Sequence, residues 1–139
     1  MGHRYTVHRY TIEQRFDDLD LLGHVNNVAY LVYLQEVRLK LLADLIGFRL
    51  TSVKHVVVRN EIDYVRALGY RPEPLPVDAW ISRVGGSSYD IGYEILDGEG
   101  AVAARGRSVM VFLDDAGTAT VPIPTDIREV LERECGATA

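Results

Sequence analysis

The sequence predicts an α+β domain in which an antiparallel sheet curls around one long apolar helix. Two observations carry this. Five segments alternate apolar and polar residues with period two, as strands do, and a single long run between the first and second is apolar almost all round. A helix that greasy needs a surface to cover it, and an antiparallel sheet wrapped around it is the economical solution. The length, 139 residues, fits one domain spanning 1–139, with no internal repeat, low-complexity tract or linker.

The first strand is expected over Tyr5 to Phe16, with His8, Tyr10, Ile12 and Phe16 on one face. Asp17-Asp18-Leu19-Asp20 and Gly23 break it, because Asp bonds its own backbone and Gly accepts positive φ. Asn26-Asn27 then offers an N-cap to a helix over Val28 to Ile46, about five turns long, and Gly47 suits its C-cap. Its apolar positions lie nearly all round, so burial on most sides is expected. Strands follow over His55 to Arg66 (Val56, Val58, Ile62 and Tyr64 together), Leu75 to Val84 (Leu75, Val77, Ala79 and Ile81) and Ser88 to Leu96 (Tyr89, Ile91, Tyr93 and Ile95). Asp97-Gly98-Glu99-Gly100 reads as a hairpin turn into a last strand over Ala101 to Leu113. Pro122 and Pro124 precede a short helix over Thr125 to Glu134. Val57, Val65, Trp80 and Val84 place apolar groups on the other strand faces, and a sheet apolar on both faces hides the second in an oligomer.

Charge and composition narrow the function. With 15 basic and 20 acidic residues the net charge is −5, which gives no global attraction to nucleic acid or to an anionic membrane. The most apolar stretch carries Gln35, Glu36, Arg38, Lys40 and Asp44, too charged to span a bilayer. One cysteine, Cys135, excludes an internal disulfide framework and suggests a reducing compartment. The polar opening Met1 to Tyr10 is unlike a signal segment. A soluble, cytoplasmic protein is the expectation. No G-x-S-x-G elbow, P-loop or Rossmann glycine fingerprint is present. The histidines at 3, 8, 24 and 55 lack metal-ligand spacing, so no metal is expected.

What remains is Arg15 to Asn27, which packs carboxylates, a histidine and two amides into a turn before a helix N-terminus. Free N–H groups there polarise a carbonyl and hold an oxyanion. A carboxylate beside them attacks directly or deprotonates water. Read on spacing alone, the same segment is also an ordinary capped turn.

The pattern Asp18-x-Asp20-x-x-Gly23-His24-Val25-Asn26-Asn27-x-x-Tyr30-Leu31-x-Tyr33-x-x-Glu36-x-Arg38 resembles the signature of hotdog-fold acyl-CoA thioesterases. The 4-hydroxybenzoyl-CoA thioesterase-like and bacterial long-chain acyl-CoA thioesterase-like groups are the most similar. Arg59-x-Glu61-x-Asp63-Tyr64, Gly86-Ser87-Ser88 and Pro122-x-Pro124 extend the likeness over nearly the whole chain. The resemblance implies a hotdog fold, and a catalytic site in which Asp20 is nucleophile or general base and the Asn27 backbone N–H polarises the thioester carbonyl. Gly23 would permit the tight turn, and His24 and Asn26 would shape the loop or touch substrate. Tyr30, Arg59 and the turn Gly85, Gly86, Ser87 and Ser88 are the implied substrate-binding positions, the turn also being readable as a plain hairpin. Arg66, Arg105 and Arg107 are further phosphate partners or simply solvated strand residues. Coenzyme A would be part of the substrate, with no separate cofactor, and the assembly a homodimer or homotetramer with the site between subunits. Two other readings stand beside hydrolysis of acyl-CoA: a non-catalytic acyl-CoA binder or sensor of the same fold, and a thioesterase acting on acyl carrier protein.

Overall fold

The computed structural model describes residues 5–136. In chain order they form β1 (His8–Ile12), a single 3-10 turn (Phe16–Asp18), α1 (Asn27–Ile46), α2 (Arg49–Ser52), β2 (Lys54–Tyr64), β3 (Leu75–Val84), β4 (Ser88–Leu96), β5 (Val102–Leu113) and α3 (Thr125–Cys135). The five strands make one antiparallel sheet in the order β1-β3-β4-β5-β2, so β1 and β2 are its edges. It wraps α1, as expected of a hotdog fold. Among the described residues, no helix is long and apolar enough to cross a membrane.

The core forms where strand and helix periodicities meet. Leu75, Val77, Ala79 and Ile81 of β3, and Tyr89, Ile91, Tyr93 and Ile95 of β4, point inward and are buried. They meet Tyr30, Tyr33, Leu34, Val37 and Leu41, one face of α1 at spacings of three and four. Each such aliphatic side chain contributes about 1.5–3 kcal/mol on burial. Asn26 caps α1 by accepting the Val28 N–H at 2.8 Å, and Gly47 ends it at φ +55°, its N–H on the Ala43 carbonyl.

Four expectations are corrected. The first strand is only five residues long, because its register on β3 ends at Ile12 opposite Leu75. Beyond lies Pro74, which has no N–H to extend the ladder. Phe16 is therefore exposed, its ring against Tyr70. On β2 a bulge between Val57 and Arg59 breaks the alternation. Before it His55 and Val57 face inward, His55 stacked on Phe112, while Val56 and Val58 face out. After it Asn60, Ile62 and Tyr64 face inward; the Asn60 amide oxygen accepts from buried Ser108, and Tyr64 reaches back to α1. Third, α1 is not buried on most sides. Val28, Leu31, Val32 and Leu39 are 37–66% exposed, because five strands cover only one side of it. Fourth, α1 is followed by α2, a four-residue turn of helix with too few residues to show periodicity in the sequence.

Gly106 of β5 lies where the sheet presses on α1. A Cβ there would come within 2.9 Å of the Leu34 Cδ1 and 3.3 Å of the Glu61 carbonyl oxygen. Gly106→Val should therefore destabilise the fold by about 1–3 kcal/mol through overpacking, read as a lower urea midpoint at unchanged slope.

Candidate active site

The loop between β1 and α1 is held by a buried anion. The Asp18 carboxylate is 3% exposed. It accepts the Arg15 backbone N–H at 2.9 Å, the Arg15 guanidinium at 2.9 Å and the Tyr33 hydroxyl at 2.6 Å. Its carbonyl takes the Asn26 N–H at 2.6 Å. Burial pushes this carboxyl up, but the bonds from Tyr33 and Arg15 outweigh it and hold the group below its usual range. The Tyr33 phenol is pushed up in turn, by burial and by the Asp18 anion it donates to. Asp18 is thus the strut of the site.

Two residues on, the chain reverses. The Asp20 N–H donates to the His24 carbonyl at 2.8 Å, and Gly23, at φ +78°, donates to the Asp20 carbonyl at 3.1 Å. Glycine suits this position because side chains crowd the backbone at such φ. The Asp20 Oδ1 accepts N–H groups of Leu22 (2.9 Å) and His24 (3.2 Å). No donor among the described residues reaches its second oxygen. Val25 secures the far side through its N–H to the Leu68 carbonyl, and a β-bridge joins His24 to Gly69.

The first turn of α1 has spent two of its donors. Val28 N–H goes to the Asn26 side chain and Ala29 N–H to the Asn26 carbonyl. The Asn27 N–H has no partner among the described residues. Asn27 lines a cavity of about 350 Å³, walled also by Asp20, His24 and Tyr30 on its side and by Tyr64 and Arg66 on the other. Tyr64 donates its hydroxyl to the Asn27 carbonyl at 3.1 Å. Tyr30 is buried, with its ring 5.0 Å from that of Tyr64, and burial pushes its phenol up. Arg66 stands 3.8 Å from Asp97 at the rim. Asp20, with one carboxylate oxygen that takes no donor among the described residues, and Asn27, with an unspent helix N–H, thus line one space, a pairing that can supply a base or nucleophile and an anchor for a carbonyl oxygen.

The structure brings together Asp20, Gly23, His24, Asn26, Asn27 and Tyr30. The Asn26 side chain serves as the N-cap. Arg59 and the turn Gly85, Gly86, Ser87 and Ser88 lie elsewhere in the chain. Arg59 pairs with Glu61 on the β2 edge. The turn sits at the Lys54 end of the sheet, where Ser88 is opposite Val111 and Lys54 opposite Leu113. Tyr64 and the cavity lie at the other end of β2, ten residues or about 33 Å away. The Gly85 and Gly86 carbonyls are taken by Arg128 at 2.8 Å each, and Ser88 Oγ by Arg83. Arg105 and Arg107 pair with Glu94 and with Glu61 and Asp90 on the outer face of the sheet. Of the arginines the sequence offers as phosphate partners, Arg66 alone walls the cavity. Tyr64 was legible only as a strand residue; nothing local signals that its hydroxyl reaches α1. Among the described residues, no three or more His, Cys, Asp or Glu cluster as a metal would need.

The chain is similar in sequence and structure to known proteins. A family model described as the thioesterase-like superfamily matches residues 14–131. The uncharacterized protein YsmA of Bacillus subtilis is 30% identical over 122 residues, covering 86% of this chain and 82% of its own. A thioesterase from Thermus thermophilus, solved in complex with coenzyme A and Zn, is 31% identical with a TM-score of 0.81, covering 94% of this chain and 96% of its own. The structure of a predicted thioesterase from Bacillus stearothermophilus is 30% identical with a TM-score of 0.79, covering 93% and 96%.

Asp18→Ala should cost about 1.5–3 kcal/mol of stability, the worth of hydrogen bonds to a charged group. Because the folded carboxyl titrates below its unfolded value, its contribution is full above about pH 4 and is lost as pH falls through the folded value. The stability gap between wild type and Asp18→Ala should accordingly be constant from about pH 7 to 5 and close below about pH 4 in pH-dependent urea unfolding.

Proposed function

The chain belongs to the thioesterase-like superfamily, and from that premise we propose that it hydrolyses an acyl thioester of coenzyme A to a free carboxylic acid and the thiol. One observation carries the reading: Asp20, which has an unengaged carboxylate oxygen, and Asn27, which has an unspent N–H, line the same cavity. The thioester carbonyl oxygen accepts the Asn27 N–H, reinforced by the positive end of α1. Asp20 takes a proton from water as the water oxygen attacks the carbonyl carbon. The negative charge collects on the oxygen held by Asn27 and returns to break the C–S bond, and the thiolate leaves to be protonated. In the other route Asp20 attacks the carbonyl carbon itself, expels the thiolate, and the mixed anhydride is then hydrolysed. Coenzyme A as carrier is supported by the Thermus relative solved with it.

The site is further read as lying between two copies. The outer edge of β2 runs eleven residues with no strand beside it among the described residues, and Val56 and Val58 are exposed. The exposed side of α1 runs along it, since Asn27 meets Tyr64 at one end and Leu39 shares a cavity with Lys54 and His55 at the other. Self-pairing of β2 in antiparallel sense would cover both. It would carry the partner's Lys54 end, with its Gly85–Ser88 turn, toward this chain's Asp20 cavity. That would reunite residues that one chain keeps apart.

Asp20→Asn should lower kcat for thiol release from acyl-CoAs of rising chain length by about 10²–10⁴, the usual share of a general base, with KM little changed. Activity within twofold of wild type would reject the assignment. In a single turnover in ¹⁸O-labelled water, label in Asp20 would establish direct attack with water adding to the Asp20 carbon of the anhydride. Sedimentation should give a mass of at least two chains. A Val58→Arg substitution on the β2 edge should shift that mass toward one chain and lower activity with it. A fully active monomer would contradict the shared site.

A further inference from the structure

The outer face of the sheet, opposite α1, carries a second cavity of about 400 Å³, walled by Tyr5, Val7, Asp78, Trp80 and Glu94. That volume lies within the range of small-ligand sites, about 300–1,000 Å³. Trp80 is seated by the backbone beneath it. Its neighbour across β3 and β4 is Gly92, where a Cβ would fall 2.6 Å from the indole Cε2. Only glycine lets the indole lie flat there. The Tyr5 ring stands nearly parallel to it, at 17° with centroids 6.3 Å apart. Two near-parallel rings favour a flat ligand over a branched one.

The polar rim states what kind of flat ligand. Both Asp78 oxygens are engaged by Arg9, at 2.7 and 3.0 Å. Glu94 Oε2 accepts from Arg105 at 3.3 Å, and no donor among the described residues reaches Oε1. Each carboxylate is thus already matched by a guanidinium, so the slot has no uncompensated negative charge to hold an ammonium. It offers one free acceptor, suited to a single N–H of a neutral ring. The Arg9 and Arg105 side chains are 60% and 56% exposed beside it, open to an anion at the rim.

We propose that this outer-face slot binds a nucleotide carrying an amino-substituted flat base of the adenine type, with the ring against Trp80 and Tyr5, its amino group on Glu94, and its phosphate toward Arg9 or Arg105. The inference does not rest on the hydrolytic reading, because the slot shares no residue with the Asp20 cavity. The nucleotide is either free or the nucleotide end of a coenzyme A.

Trp80 is the single tryptophan of the chain, so its fluorescence reports this slot alone. Titration of the purified protein with adenosine 5′-monophosphate should quench it saturably. Inosine 5′-monophosphate, which has a keto group for the amino group, should bind at least fivefold more weakly. Tyr5→Leu and Glu94→Ala, both surface changes, should each weaken adenosine monophosphate at least fivefold with unchanged circular dichroism. Coenzyme A binding tighter than adenosine monophosphate, together with a Tyr5→Leu rise in KM at constant kcat, would assign the slot to the nucleotide end of coenzyme A; binding no tighter would assign it to a free nucleotide. The proposal is overturned by the absence of saturable quenching at millimolar nucleotide, by equal response to ribose 5-phosphate, or by variants that bind as wild type. It is also overturned if the emission shifts blue as protein concentration rises and quenching disappears, since that places Trp80 against a second copy.

Discussion

The candidate site depends on the placement of one buried carboxylate. Asp18 draws in three donors from Arg15 just before it and one from Tyr33, almost two turns into α1, while its own carbonyl holds Asn26. Those bonds join the approach to the loop, the loop's exit and the body of the helix. A buried carboxylate without such donors would be strongly disfavoured as an anion. Here it is satisfied, and its position near the start of α1 is favourable to the helix dipole as well. The turn that follows has little freedom left. Gly23 and the Asp20 side chain close it, and Asp20 is delivered to the cavity by a loop pinned at both ends.

This explains which parts of the molecule the sequence makes legible. β3 and β4 alternate strictly between clear turn signals, and their bounds, Leu75–Val84 and Ser88–Leu96, are those the pattern gives. α1 begins within one residue of its expected start because Asn26 is a local signal that acts locally. The division of labour between Asp18 and Asp20 is different. Along Asp17-Asp18-Leu19-Asp20 nothing in composition distinguishes strut from candidate catalyst. Tyr33, fifteen residues on, makes the distinction, and only the resemblance to a family pointed to Asp20. The β2 misreading has the same character. Constant alternation placed Val56 and Val58 inward; the bulge at Val57 and Arg59 is a property of the pairing with β5. A ring such as His55, polar in sequence, then fills the place beside Phe112 that a valine was expected to take.

Two further departures share one cause. Val28, Leu31, Val32 and Leu39 are apolar yet open, and the Gly85–Ser88 turn is remote from the cavity in the same chain. Both concern surfaces that a second copy of the chain would meet. An exposed apolar stripe beside an unpaired eleven-residue edge is a costly surface to leave in water. Pairing along that edge would relieve it and exchange the two ends of β2. The sequence encodes the stripe plainly as hydrophobicity; it has no way to say whether the covering surface comes from the same chain.

Covering also bears on the chemistry. An oxyanion donor is worth about 3 kcal/mol when preorganised in a water-excluded site. In the single chain Asp20 is exposed, and water screens the field of an exposed carboxylate. The first turn of α1 is arranged for the stronger regime. Asn26 takes up the Val28 and Ala29 donors and leaves the Asn27 N–H without a partner among the described residues. Such an arrangement has value where water does not fill the place of the carbonyl. The same closure that would hide the apolar stripe of α1 would therefore dry the cavity at its tip, so that assembly and catalysis would draw on a single burial event.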